Sequence, residues 1–366
     1  MSILNIPTAG TLQGTGFNFI NDITTANQSI LASIDLNSPN PPTTNIEMIH
    51  PSFECIKDMD IEAYHQHGYI SSSMFSTNRD LTEREIQHRA KAAIKAKQQA
   101  RLQKNQAVKK GKVIHELLER IIKKGLRSNV PLVDFLKVYE VAPSYDKRTK
   151  KGVQEGYNWY CTKVADNILE QFQLIAEDEP TVMKRQQRVI QLIKDSYPYF
   201  VDPETFGYLK SLIEEINRLS HISPLLQYGQ SEWSLFNHDT NVRIRPDVLV
   251  PAEVFGHLLH ISIKSTSDLR RFKGSFHQRG YDIQEGMYNY EIGMATQQSP
   301  ISIFLIIECK KDGLVQIKLE EVSEQSILKW HNRYLDELDK YKAVLEKTDA
   351  TGYEVMFGNA YGVEVV

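Results

Sequence analysis

Three segments decide how this chain reads: Arg245-Pro246-Asp247-Val248-Leu249-Val250, then Leu258-Leu259-His260-Ile261-Ser262-Ile263-Lys264, then Tyr281-Asp282-Ile283-Gln284-Glu285-Gly286-Met287-Tyr288. The first places an acid where a turn meets a short apolar strand. The second is an apolar strand that ends on a lysine seventeen positions after that acid. A β-hairpin of this spacing would bring Asp247 and Lys264 to the same end of a sheet. In the third, Gln284 and Tyr288 are four residues apart and share one helical face.

Outward from this stretch the period of the apolar residues assigns the rest. Trp233, Leu235 and Phe236 precede a turn at 237–240, and Val242 and Ile244 follow it as a strand. Segments 258–263 and 301–308 are apolar strands, and 315–319 alternates as an edge strand would. Segments 283–295 and 324–345 are helix candidates, as are 153–176 and 180–220, with Pro198 and Pro203 marking a break. The fold class expected is α/β, a small mixed sheet flanked by helices. Residues 1–55 are rich in Thr, Asn, Ser, Gly and Pro and read as a poorly ordered N-terminal arm ahead of one domain over 56–366.

Composition narrows the function. The chain has 366 residues, 41% of them hydrophobic, and a net charge of -3. That supports a sizeable core and excludes a general polycation. Segment 81–124 departs from this balance: 13 Lys or Arg stand against four acids, a local charge of +9 in a stretch that reads as helix from 80 onward. Such a one-sided run is either a solvated helix face or a surface for phosphates. Cys55, Cys161 and Cys309 form no CxxC pair, which argues against a zinc or iron–sulfur site and against a disulfide framework. Residues 1–20 lack a signal-peptide pattern, and no apolar run approaches the ~20 residues that span a bilayer. A cytoplasmic protein is expected.

Phosphodiester hydrolysis needs an activated water and cancellation of phosphate charge, and Mg²⁺ supplies both. Mg²⁺ takes hard oxygen ligands, usually one or two carboxylates with waters and phosphate. The pattern to seek is a carboxylate on one strand, an acid-x-Lys on the next, and a nearby acid or His. Asp247 and Lys264 fit it, but a turn Asp and a surface Lys recur in most proteins. Glu232, in Ser231-Glu232-Trp233-Ser234, could reach the same sheet end. His115 lies early in an amphipathic helix, in Gly111-Lys112-Val113-Ile114-His115.

Further pieces accompany these: Asp60-Ile61-Glu62-Ala63-Tyr64-His65 with Ile70-Ser71-Ser72-Ser73, Val141-Ala142-Pro143, Arg148-Thr149, Lys264-Ser265-Thr266-Ser267-Asp268 and Arg271-Phe272-Lys273. In this order and spacing the set resembles the RecE-type exonucleases (exodeoxyribonuclease eight), in the RecB-like branch of the PD-(D/E)xK nucleases. The resemblance covers roughly residues 58–340. It implies a restriction-endonuclease-like PD-(D/E)xK core. It implies His115, Glu232 and Asp247 around the metal, with position 262 as a further ligand, Lys264 as the catalytic lysine, and Gln284 and Tyr288 as a supporting motif that contacts DNA. The implied activity is Mg²⁺-dependent resection of linear double-stranded DNA, 5′ to 3′, for single-strand-annealing recombination of a phage or prophage type. Mn²⁺ would substitute for Mg²⁺. The implied partners are a single-strand annealing protein and further copies of the chain in a homo-oligomeric ring, and no membrane.

One position departs from the family pattern. Ser262 stands two residues before the lysine, where the family has an acid. Three readings are open: a catalytically impaired DNA-end-binding or interaction protein, a migrated acid with Glu285 and Asp282 as candidates, or an engineered serine. An aspartate at 262 would repair the pattern, because strand alternation puts 262 and 264 on one face. His257 and His260 read as strand-edge histidines.

Overall fold

The computed structural model describes residues 35, 46–66, 69–72, 75, 106–125, 131–197, 199–231, 233–277, 279–310 and 312–346. Most of the expected N-terminal arm, Glu232 and segment 80–105 of the basic stretch lie outside the described residues, as do the side chains of Lys109, Lys110 and Lys112.

In chain order the elements begin with β1 (Phe53–Lys57), α1 (Ile61–Gln66) and α2 (Gln106–Arg120), which continues into a π-helical turn, Ile121–Gly125. A 3₁₀ segment (Leu132–Val138), β2 (Glu140–Val141), α3 (Lys150–Cys161), α4 (Asp166–Ile175), α5 (Val182–Ser196), β3 (Phe200–Val201) and α6 (Pro203–Arg218) follow. Next come α7 (Ile222–Tyr228), β4 (Trp233–Asn237), β5 (Val242–Ile244), β6 (Val248–Val250), α8 (Ala252–Phe255), β7 (Leu259–Thr266) and α9 (Leu269–Ser275). The chain closes with α10 (Tyr281–Thr296), β8 (Ile301–Cys309), β9 (Val315–Glu321) and α11 (Glu324–Glu346). The fold is α/β, and most of the strands and helices fall near where the apolar periods put them, although the helix expected over 153–176 is two helices and the strands divide among three sheets. The two-residue strands β2 and β3 were not legible, nor was β1, which pairs antiparallel with β4, Cys55 opposite Leu235, so the boundary drawn after residue 55 falls inside a sheet strand.

The chain divides into two compact units, one over 106–219 with 309–316, the other comprising the remainder. The 106–219 unit is mostly helical, and local chemistry starts its helices. Thr149 caps α3 by accepting from the Gly152 amide, and Thr181 caps α5 through the Lys184 amide. Asp202 caps α6 through Thr205 with Pro203 in the first turn, where a missing amide proton costs nothing. Tyr160, Val189, Ile190, Ile193 and Phe200 form its core.

The other unit carries the sheets. Strands β1, β4 and β5 form one, and β6-β7-β8-β9, in that order, another. β6 runs antiparallel to β7, and β7 parallel to β8, with Lys264 level with Ile306. A parallel pair needs a long crossover, and α9 and α10 provide it. Residues 259–263 and 301–307 are buried on both sides of the strand pleat; 301–307 is a near-continuous apolar run, whereas β7 carries His260 and Ser262 on one of its buried faces. Ile283, Met287 and Ile292 of α10 join Leu249, Val242, Tyr334 and Leu338 in the main core. Phe272, Phe276, Phe304 and Trp330 make a second cluster beside it. α10 and α11 touch at Gly286, where a Cβ would lie 2.4 Å from the Trp330 carbonyl oxygen. Only glycine allows that approach. The three cysteines are free thiols, and burial pushes that of Cys55 up to about 11. No helix among the described residues is long and apolar enough to cross a membrane.

Candidate active site

Asp247 precedes β6 by one residue. The antiparallel register, Val248 opposite Ile261, sets it beside the end of β7. Its Oδ2 accepts from the Ile263 amide at 2.7 Å and lies 3.9 Å from the Lys264 ammonium. This is also where β7 passes from buried residues to half-buried ones, 264–266. The Asp247 side chain is 29% exposed and that of Lys264 only 11%, so the carboxylate is reachable from solvent while the cation is walled in. Part of that wall is the ring of Tyr281, 5.1 Å from Nζ.

Helix α10, which Tyr281 begins, supplies this wall. Tyr281, Gln284, Glu285 and Tyr288 recur at helical spacing and so face one way. Gln284 and Ser72 both hydrogen-bond the Tyr288 hydroxyl. Burial pushes that phenol up from its ordinary value, and Asp247 adds to the rise, while Gln284, Ser72 and Lys264 oppose it. The net result is a neutral hydroxyl. The opening segment 60–72 also belongs here. Tyr64 accepts from Arg243 through its carbonyl at 2.6 Å, and its ring lies 5.6 Å from the Arg245 guanidinium. Ile70 bridges to Val242. The pieces Tyr64, Ser72, Arg245, Asp247, Lys264, Gln284 and Tyr288, scattered along the sequence, thus form one neighbourhood.

Behind Lys264, on the same strand face, lies a second group. Ser262 donates its hydroxyl to Glu285 Oε2 at 2.6 Å. His260 Nδ1 sits 2.9 Å from Glu285 Oε1, with both side chains essentially out of water at 0% and 1% exposed. Burial pushes the Glu285 carboxyl up, but the charge of His260 and the hydroxyls of Ser262 and Ser302 outweigh it and hold the group below the ordinary carboxylate range. His260 is therefore not a strand-edge residue. β7 is flanked by β6 and β8, and His260 is central in that sheet. Of the two acids on α10 named as candidates from the sequence, Asp282 is engaged elsewhere, 2.8 Å from His277 and 2.9 Å from Arg333. Glu285 is the one that touches the side chain at position 262.

Glu232 lies outside the described residues, between Ser231 and Trp233. His115 is half-buried on α2, in the 106–219 unit. Among the described residues no group of three or more His, Cys, Asp or Glu side chains is arranged to hold a metal ion. Mg²⁺ does not require one, since one or two carboxylates with water and phosphate suffice. A partly exposed carboxylate beside a lysine is donor chemistry of that kind. Sequence reasoning missed Ser72, Tyr281 and His260. Alternation at 260, 262 and 264 was the signal available for the histidine. No protein-family model matches the chain, and no curated protein matches it.

Proposed function

We propose that this chain is a Mg²⁺-dependent exodeoxyribonuclease with a PD-(D/E)xK core, resecting linear duplex DNA 5′ to 3′ for single-strand-annealing recombination. The observation that carries the reading is the 3.9 Å approach of Lys264 to Asp247 at the half-buried end of β7, faced by Gln284 and Tyr288 on α10. Strand β6 antiparallel to β7, a helical crossover, and β8 parallel to β7 agree with the topology such a core needs.

Asp247, with Glu232 and His115 as the resemblance implies, would hold the ion. Bound there, Mg²⁺ supplies an activated water and offsets phosphate charge. Lys264 is placed to orient a water beside Asp247 and to neutralise the scissile phosphate. Tyr288, kept neutral by burial, donates a hydrogen bond rather than adding negative charge. Arg270 and Arg271 begin α9 just after β7 with side chains 95% and 86% exposed, in reach of a DNA backbone laid along this end of the sheet. The +9 charge of stretch 81–124 is the further phosphate-binding feature that the sequence supplies. The reading includes action in the cytoplasm, a homo-oligomeric ring, an annealing-protein partner, and Mn²⁺ as a substitute ion.

A second reading has one observation in its favour: Ser262 replaces an acid, and its hydroxyl is already committed to Glu285. On that reading the same fold binds DNA ends without cutting. End-labelled linear duplex separates the two. In Mg²⁺ the exonuclease removes the 5′ label first and leaves a closed circle intact. A protein that shifts linear duplex in a gel yet leaves both labels in place under Mg²⁺ and Mn²⁺ is the binding protein.

A further inference from the structure

Position 262 and position 285 are coupled. The Glu285 carboxylate lies one hydrogen bond beyond the Ser262 hydroxyl, in the space that an acidic side chain at 262 would itself fill. Its other oxygen is anchored by His260. Strand alternation puts His260, Ser262 and Lys264 on one face, and helical spacing puts Glu285 beside Gln284, whose side chain reaches the Lys264 neighbourhood through Tyr288. A buried carboxylate is costly unless it is paired or bound to a cation. Here the His260 ring, 2.9 Å from one oxygen, and the hydroxyls of Ser262 and Ser302 face it. On the side toward Lys264 the neighbour of the carboxylate is the neutral Ser262 hydroxyl.

We propose that Glu285 is the carboxylate of the divalent-metal site that an acid-x-Lys strand would otherwise provide, with Ser262 as its hydroxyl support and His260 as a positioning residue. The acid has moved from the strand to the helix that covers it, and the small serine side chain at 262 makes room for it. This rests on the nuclease reading, because it concerns the same metal site.

The test uses the full chain and Mn²⁺ alone, without DNA, with binding followed by electron paramagnetic resonance. Glu285→Gln, which keeps the shape, weakens Mn²⁺ binding by roughly tenfold or more. The exchange variant Ser262→Asp/Glu285→Ala, which returns the carboxylate to the strand, recovers most of that loss. Equal binding by Glu285→Gln and parent, while Asp247→Asn loses the ion, overturns the Glu285 assignment and leaves the nuclease reading standing. Loss in Glu285→Gln without recovery in the exchange variant also overturns it, since a general disturbance of packing then explains the loss. A parent chain that binds no Mn²⁺ removes the metal site and this assignment together.

Discussion

Adding an acid at 262 tests the packing directly. In Ser262→Asp a second carboxylate enters a site where Ser262 Oγ and Glu285 Oε2 are 2.6 Å apart and nearly dry. Even if the side chains relax to about 4 Å, two like charges repel by about 4 kcal/mol at an effective dielectric of 20. For a unit of 150–250 residues that corresponds to a melting midpoint lowered by roughly 8–16 °C. Repulsion raises the folded-state pKa of the pair above its unfolded value. The penalty is thus full above that raised value and vanishes as pH falls below the ordinary carboxylate range. Thermal melting followed by circular dichroism at pH 8 and pH 5 reads this out, with Ser262→Asn as the control for bulk without charge. The metal-free Ser262→Asp variant melts well below Ser262→Asn at pH 8, the gap narrows at pH 5, and Mn²⁺ narrows it at pH 8. If the two variants melt together at pH 8, Glu285 does not face position 262.

Other outcomes follow from the same geometry. Glu285 is held below the ordinary carboxylate range, so it contributes stability above that range that is lost as pH falls through its folded value. Urea midpoints measured from pH 6 to pH 2 should drop steeply in the parent and less steeply in Glu285→Gln, and parallel curves would exclude Glu285 as the source. Gly286→Ala drives a methyl against the Trp330 carbonyl oxygen, 2.4 Å from the new Cβ, and should cost about 1–3 kcal/mol in chemical denaturation. A neutral result would mean that α10 and α11 pack less closely. Changing Arg270 and Arg271 to Ala should lower the salt dependence of duplex binding by roughly 0.9 for each phosphate no longer neutralised. An unchanged slope would leave them as solvated surface.

The parts of this fold legible in the sequence are those set by short-range pattern. β7 could be read because an apolar run stops at Lys264-Ser265-Thr266, and α10 because Ile283, Met287 and Ile292 recur at helical spacing. The juxtaposition of Asp247 and Lys264 could be read because a hairpin register is local. What escaped depends on distant partners. β1 is five residues with weak alternation, and its partner β4 lies far along the chain, Phe53 pairing with Asn237. The division into two units arises because the chain leaves one core at 106 and returns to it at 220. Polar character suggested an edge for His260, but its neighbour is a buried carboxylate from another element. The pairing of Ser262 with Glu285 needs the rotation of α10 over β7, which no local pattern specifies. Sequence alone could name Glu285 and Asp282 as candidates; the contacts of Asp282 with His277 and Arg333 separate them.

If Asp247 and Lys264 form the working end of a metal-dependent nuclease, both must be needed for cutting. That is read from the rate at which purified parent, Asp247→Asn and Lys264→Ala degrade 5′-labelled linear duplex in Mg²⁺, with chelator as the blank. The parent should degrade the duplex and chelator should abolish this, while either variant loses at least about a hundredfold in rate, some 2.7 kcal/mol of barrier. Degradation that persists undiminished in Lys264→Ala, or a parent that leaves the duplex intact in both Mg²⁺ and Mn²⁺, would contradict the nuclease assignment.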